Sequence, residues 1–266
     1  IIALFIWLSV AVVDNRRSNS RRAVKALRCL APVVVVVAIG YVGSRPALRL
    51  YCDASAGRQR TLTEESQRTV ANLEGPMTVT TYVNVFSGEM SDFAPGTYGQ
   101  DAARFQEYTR FKPEIRMRYV YYYPPQADSV LTARYPDSDV RQIAEKVARK
   151  YKVGASRLKS AEELAPQVDL AQEEYGFVRV IEWGGKQARL RRYNEMNPNP
   201  GEEEITAALR TLETSPAHVG FVTGHGERSF EKKGDREFSI FTSLRSMRNA
   251  LINQGYVMQS VDTADG

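Results

Sequence analysis

The chain has 266 residues, 43% of them hydrophobic and 25% charged, which excludes wholesale disorder and leaves room for one or two globular domains. The net charge of +5 is local: Arg16, Arg17, Arg21, Arg22, Lys25 and Arg28 stand together against only Asp14 and exceed the whole excess. The remainder is near neutral, so no nucleic-acid partner is expected.

Ile1 to Val13 is apolar and reads as the end of a membrane helix. The arginine-rich stretch that follows would be a cytoplasmic loop, since basic residues beside an apolar run mark the inner side of a membrane. Cys29 to Gly43, CLAPVVVVVAIGYVG, carries no charge in fifteen residues and reads as a second membrane helix, about 29–45. That is shorter than the roughly 20 residues that span a bilayer, although Arg28, Arg45 and Arg49 can snorkel toward headgroups. The alternative is a buried valine-rich strand over Val33 to Val37. On the membrane reading, residues 1–49 form a membrane region and the chain beyond is extracytoplasmic, periplasmic in a Gram-negative cell. Cys29 and Cys52 would lie roughly 35 Å apart along such a helix, beyond the reach of a disulfide. The chain opens without Met and stops at VDTADG, so it reads as a piece of a longer protein.

Residues 50–200 alternate between helix and strand signals. Thr63 is a plausible N-cap ahead of Glu64 and Glu65, and Gly75-Pro76 stops the helix. Met77 to Phe86 is rich in β-branched and aromatic residues and reads as a strand. A helix is expected near Gln100 to Arg110, then a strand at Ile115 to Tyr123 with Ile115, Met117, Tyr119, Tyr121 and Tyr123 on one face. Strand, helix, strand of these lengths predicts a parallel pair. The tyrosine row fits sheet packing better than a base-stacking platform, because no basic groove accompanies it. Asp137 to Tyr151 reads as a helix, and Tyr175 to Ile181 with Gln187 to Tyr193 as a hairpin about Gly184-Gly185.

Residues 201–266 begin with a helix, Glu202 to Leu212, whose Ile205, Ala208, Leu209 and Leu212 share a face. Its three leading glutamates read as an acidic first turn in preference to metal ligands. A strand at His218 to Val222, a loop over Thr223 to Asp235, a helix over Phe238 to Asn253 and a strand at Tyr256 to Val261 predict the start of a doubly wound sheet. The loop Thr223-Gly224-His225-Gly226-Glu227-Arg228 falls at the carboxyl end of that first strand, where open α/β sheets bind ligands. Its glycines permit a tight turn, and His225 with Glu227 offers acid–base chemistry. Three readings stand open for it: a plain turn, a ligand loop or a catalytic loop. It carries no GxGxxG, Walker lysine or GxSxG nucleophile. No metal or cofactor is expected, with only His218 and His225 as histidines.

FVTGHGERS resembles the GHGE signature of the GldG-type, gliding-motility-associated auxiliary proteins of ABC transporters. The likeness extends in order through Arg60-Thr61-Leu62-Thr63, Ser66, Thr69 and Leu73, then Gly75-Pro76-Met77, the Glu107-Tyr108 element, and the helix EEEITAALRTL. The resemblance implies a thioredoxin-like mixed α/β domain without redox cysteines. It also implies the beginning of a flavodoxin- or amidotransferase-like domain without its nucleophile. The segment Ile1 to Arg28 departs from the family layout and suggests fusion to an upstream permease. The implied function is a non-catalytic extracytoplasmic auxiliary component, with an ABC permease and a cytoplasmic ATPase as partners at the bacterial inner membrane. The opposing reading is an extracytoplasmic hydrolase or amidotransferase-like enzyme using His225 and Glu227.

Overall fold

The computed structural model describes residues 7, 9, 10, 12, 13, 22–43, 61–224 and 226–262. Arg16, Arg17, Arg21, Arg45, Arg49, Cys52 and His225 therefore lie outside the described residues, as does most of Ile1 to Val13. By contacts the chain divides into a unit Ile1–Ala54 and a larger unit Ser55–Gly266.

In the first unit, helix α1 spans Arg22–Gly43. The expected membrane helices are corrected here: among the described residues, no helix is long and apolar enough to cross a membrane. Arg22, Lys25 and Arg28 are part of α1 and not of a loop before it. What remains, Cys29 to Gly43, is about 22 Å long at 1.5 Å per residue, short of the roughly 30 Å of hydrocarbon in a bilayer. The valine run is helical, so the alternative of a buried strand fails as well.

The second unit is α/β and is built on a mixed five-stranded sheet. Its strands are β1 (Met77–Asn84), β2 (Ile115–Tyr123), β3 (Leu158–Ser160), β4 (Val178–Trp183) and β5 (Lys186–Arg191), in the order β3-β2-β1-β4-β5. β1 and β2 pair in parallel, as do β2 and β3, while β4 and β5 run antiparallel to their neighbours. The hairpin turns on Gly184 and Gly185, both at positive φ, which is why two consecutive glycines stand there.

The helices start where short polar side chains can cap them. In α2 (Glu64–Asn72) the Thr63 hydroxyl accepts from the Ser66 N–H, and in α6 (Val140–Lys150) Asp139 and Gln142 form a capping box. The helix expected at Gln100 to Arg110 is two short helices, α3 (Tyr98–Arg104) and α4 (Gln106–Phe111), broken at buried Phe105. Two shorter helices, α5 (Ser129–Arg134) and α7 (Ala161–Leu164), complete this part of the chain.

Both sheet faces are covered. Tyr82, Val120, Tyr122, Val178 and Val180 pack with Leu164 and Leu170 on one side. On the other, Met77, Val79, Ile181 and Leu190 pack against α2 and against α8 (Glu202–Glu213), through Ile205, Ala208, Leu209 and Leu212. The sequence draws a boundary near residue 200, yet α8 beyond it completes the core of the five-stranded sheet. Two of the four tyrosines of β2 are interior: Tyr121 and Tyr122 are fully buried, and their hydroxyls donate to Phe93 O and Gly176 O at 2.8 Å each.

The final stretch pairs β6 (Ala217–Thr223) with β7 (Tyr256–Asp262) in parallel as a separate two-stranded sheet. Gly220 lets the strands approach, since a Cβ there would sit 2.8 Å from Val261 Cγ2. The expected doubly wound start is corrected in its crossover. Phe238 to Asn253 is not one helix but α9 (Ser239–Thr242), turns, and a 3-10 turn at Leu251–Asn253. Polar side chains divert the backbone there: Thr242 Oγ1 donates to Phe230 O at 2.8 Å, and Asn253 Nδ2 donates to Arg245 O and Met247 O at 3.0 and 2.8 Å.

Candidate functional site

The loop singled out in the sequence begins where expected, at the carboxyl end of β6, with Thr223 opposite Asp262 of β7. Gly224 and Gly226 have φ of +122° and +85°, conformations that glycine adopts without strain. Thr223 Oγ1 donates to Val261 O at 3.5 Å, and the Arg228 guanidinium lies 5.7 Å from the Phe238 ring centroid. Glu227 and Arg228 are exposed, and His225 lies outside the described residues. None of the five described loop residues lines the cleft that opens just downstream.

That cleft has a volume of about 570 Å3. Its floor is the end of β5 with Arg191 and Arg192; one wall is the 173–177 turn and the other is the segment 231–246. The first wall is backbone under tension: Glu174 and Tyr175 are consecutive non-glycine residues at φ +52° and +51°. Each left-handed residue costs on the order of 1–3 kcal/mol, so the surroundings must hold them. Asn84 Nδ2 donates to Tyr175 O at 3.0 Å, and Tyr122 donates to Gly176 O.

The turn fixes Glu173, which is buried. Arg191 donates to it through Nε at 2.6 Å and through a second nitrogen at 2.8 Å, a bidentate match of guanidinium and carboxylate. Arg189 reaches the same carboxylate at 3.4 Å and Arg245 at 3.5 Å. Three guanidiniums thus share one carboxylate. The remaining nitrogen of Arg191 donates to Asn253 Oδ1 at 3.0 Å, tying the floor to the crossover segment. Arg192 donates to Asp92 at 2.9 Å and approaches Glu89 at 3.8 Å, with its guanidinium 5.3 Å from the Phe93 ring. The Nε atoms of Arg192 and Arg245 are buried without a hydrogen-bond partner. Burial raises the pKa of Glu89, partly offset by Arg192 and reinforced by Asp92.

A second charged constellation lies inside the core. Arg179, on the same sheet face as Val79 and Ile181, donates to both oxygens of Asp101 at 2.8 and 2.7 Å and through Nε to Thr81 at 2.9 Å. Tyr119 donates to Asp101 at 2.7 Å and Arg104 at 3.2 Å, while Phe93, Phe105 and Phe177 surround the guanidinium. Burial lowers the Arg179 pKa and Asp101 opposes that shift. With the pair fully buried and satisfied, it holds α3 to the sheet and offers no access to a substrate.

Two of the three glutamates that open α8 are engaged in structure. Glu202 accepts from the Thr63 N–H and hydroxyl at 2.7 and 2.8 Å; Glu204 accepts from Gly201 N–H at 2.7 Å and from Arg248 at 2.6 Å. Arg248 also donates to Asn197 O at 2.7 Å, fastening the crossover segment beside α8. Sequence reasoning missed the cleft because its residues are scattered. The only local signal was Arg189-Leu190-Arg191-Arg192, charged residues recurring along a strand with no acidic residue among them.

The fold and site define an α/β protein with a mixed five-stranded sheet, a small parallel sheet, and a charged cleft where the crossover segment meets the end of β5. Comparison with protein-family models, curated proteins and solved structures returned no match.

Proposed function

We propose that this chain is a non-catalytic binding component of a bacterial ABC transporter of the gliding-motility type. In this reading it works with a permease and a cytoplasmic ATPase at the inner membrane, with its α/β unit on the extracytoplasmic side. ATP hydrolysis belongs to the ATPase. The transporter context rests on the ordered likeness over about residues 45–266. The binding role rests on one observation, the cleft whose Arg191 is held by Glu173, on the strained 173–177 turn, before any ligand arrives. Such preorganisation lowers the entropy lost on binding.

The reading is tested by tagging the full chain in its native cell, cross-linking, and identifying co-purified proteins by mass spectrometry. A permease and an ATPase are expected above the untagged control. Recovery of neither overturns the transporter assignment. A hydrolytic turnover of the purified chain that Glu227→Ala abolishes with folding unchanged overturns the non-catalytic one.

A further inference from the structure

We propose that the cleft binds a small organic carboxylate with an apolar body, its carboxylate held by Arg245 and Lys233 and its body lying against Phe177, Ile240 and Leu244. The inference rests on the cleft being the binding site of the proposed function.

The charge distribution selects the head group. Glu173 is the shared partner of Arg189, Arg191 and Arg245, so three guanidiniums face one carboxylate at this end of β5. Arg191 is fully committed, to Glu173 and Asn253, and Arg192 is directed toward Asp92. Arg245 is not. Among the described residues its ionic contact is through Nε, which faces Glu173 at 3.5 Å without a hydrogen bond, and its side chain is 29% exposed. Lys233 stands nearby with its side chain 89% exposed and Glu174 no closer than 3.8 Å. A guanidinium and an ammonium that line one cleft can share a carboxylate, and the planar guanidinium favours two parallel N–H···O bonds.

The remainder of the cleft selects the body and the charge. Ile240 and Leu244 leave 44% and 41% of their surface open at the wall, and Phe177 closes the end of the floor. A volume of about 570 Å3 suits a small molecule with a ring or short chain. Glu89, Glu174, Glu231 and Asp235 line the same cleft, and a dianion would be repelled by them more strongly than a monoanion, which favours a monoanion. The half-buried Glu89 carboxyl, when protonated, can donate to a ligand oxygen.

The test titrates the full chain with 3-phenylpropionate, 3-phenylpropan-1-ol and 3-phenylpropylamine by isothermal calorimetry. The acid is expected to bind at least about tenfold more tightly than the alcohol or the amine. Arg245→Gln should weaken the acid at least about tenfold and leave the alcohol unchanged, while Arg245→Lys restores part of the loss. Ile240→Asp should weaken acid and alcohol alike, and Val130→Asp, on the exposed face of α5, should weaken neither. Equal binding of acid and alcohol, no binding of the acid at millimolar concentration, or an Arg245→Gln protein that binds the acid as before overturns the proposal. If Arg245→Gln does not fold, the three-ligand comparison on the unaltered chain still decides. Failure here with the permease and ATPase still recovered removes the ligand class and leaves the transporter reading standing.

Discussion

Asp101→Ala is the substitution whose cost the structure specifies most closely. The carboxylate is buried and accepts two bonds from Arg179, one from Tyr119 and one from Arg104. Its removal leaves Arg179, itself 1% exposed, with only Thr81 as a hydrogen-bond acceptor amid three phenylalanine rings. Stranding one member of a buried pair costs about 3–5 kcal/mol, a large share of the roughly 5–15 kcal/mol that holds a typical domain together. For a unit of this size each kcal/mol moves the midpoint by about 2–4 °C, so a fall of roughly 6–20 °C is expected in thermal melts followed by circular dichroism. The double substitution Asp101→Leu with Arg179→Met removes both charges and should recover most of the loss, since a buried pair replaced by apolar residues of similar size is often neutral. A single variant that melts within about 2 °C of the parent, or a double variant that melts below the single, would refute the argument that the cost is an uncompensated charge.

Two further outcomes follow from local geometry. Gly255 ends the crossover at φ +82°, and a Cβ there would lie 3.0 Å from Thr211 Cγ2 and 3.3 Å from Ala207 O. Gly255→Ala should therefore cost more than about 1 kcal/mol in urea unfolding, the reverse of the usual gain from replacing glycine. At the start of α8, burial pushes the Glu202 pKa up, but the hydrogen bonds from Ser66 and Thr63 outweigh it and hold the group below its usual value. A depressed carboxyl adds stability above its unfolded pKa of about 4.3 and loses it as pH falls through the folded value. Thr63→Val, which also removes the N-cap of α2, should cost about 1 kcal/mol at neutral pH and less near pH 3.5. An equal cost at both pH values would show that Glu202 gains nothing from Thr63.

The pattern of what could be read in the sequence has a physical basis that bears on the cleft. β1, β2, the hairpin of β4 and β5, α2 and α8 follow from β-branched runs, paired glycines, caps and apolar spacing, which are local properties. The Arg179–Asp101 pair was hidden because its members are 78 positions apart, and an arginine inside an apolar strand gives no sign of where its partner lies. Cys29 to Gly43 misled for a different reason: an uncharged run announces burial or helix, but its own fifteen residues are too few for the bilayer once the basic residues join the same helix. The failure at Phe238 to Asn253 is the informative one. Phe241, Leu244, Met247 and Leu251 have helical spacing, yet Phe241 and Leu244 are exposed, and Asn253 takes the Arg245 and Met247 carbonyls that a continuous helix would use. The opposite wall breaks local rules too, with Glu174 and Tyr175 left-handed. Both departures border one cavity, and their cost is borne elsewhere by the Arg248–Glu204 and Arg191–Asn253 ties and by Asn84 and Tyr122. Two independent departures meeting at one cleft are what selection for a binding surface produces, whereas departures that served folding alone would have no reason to face each other.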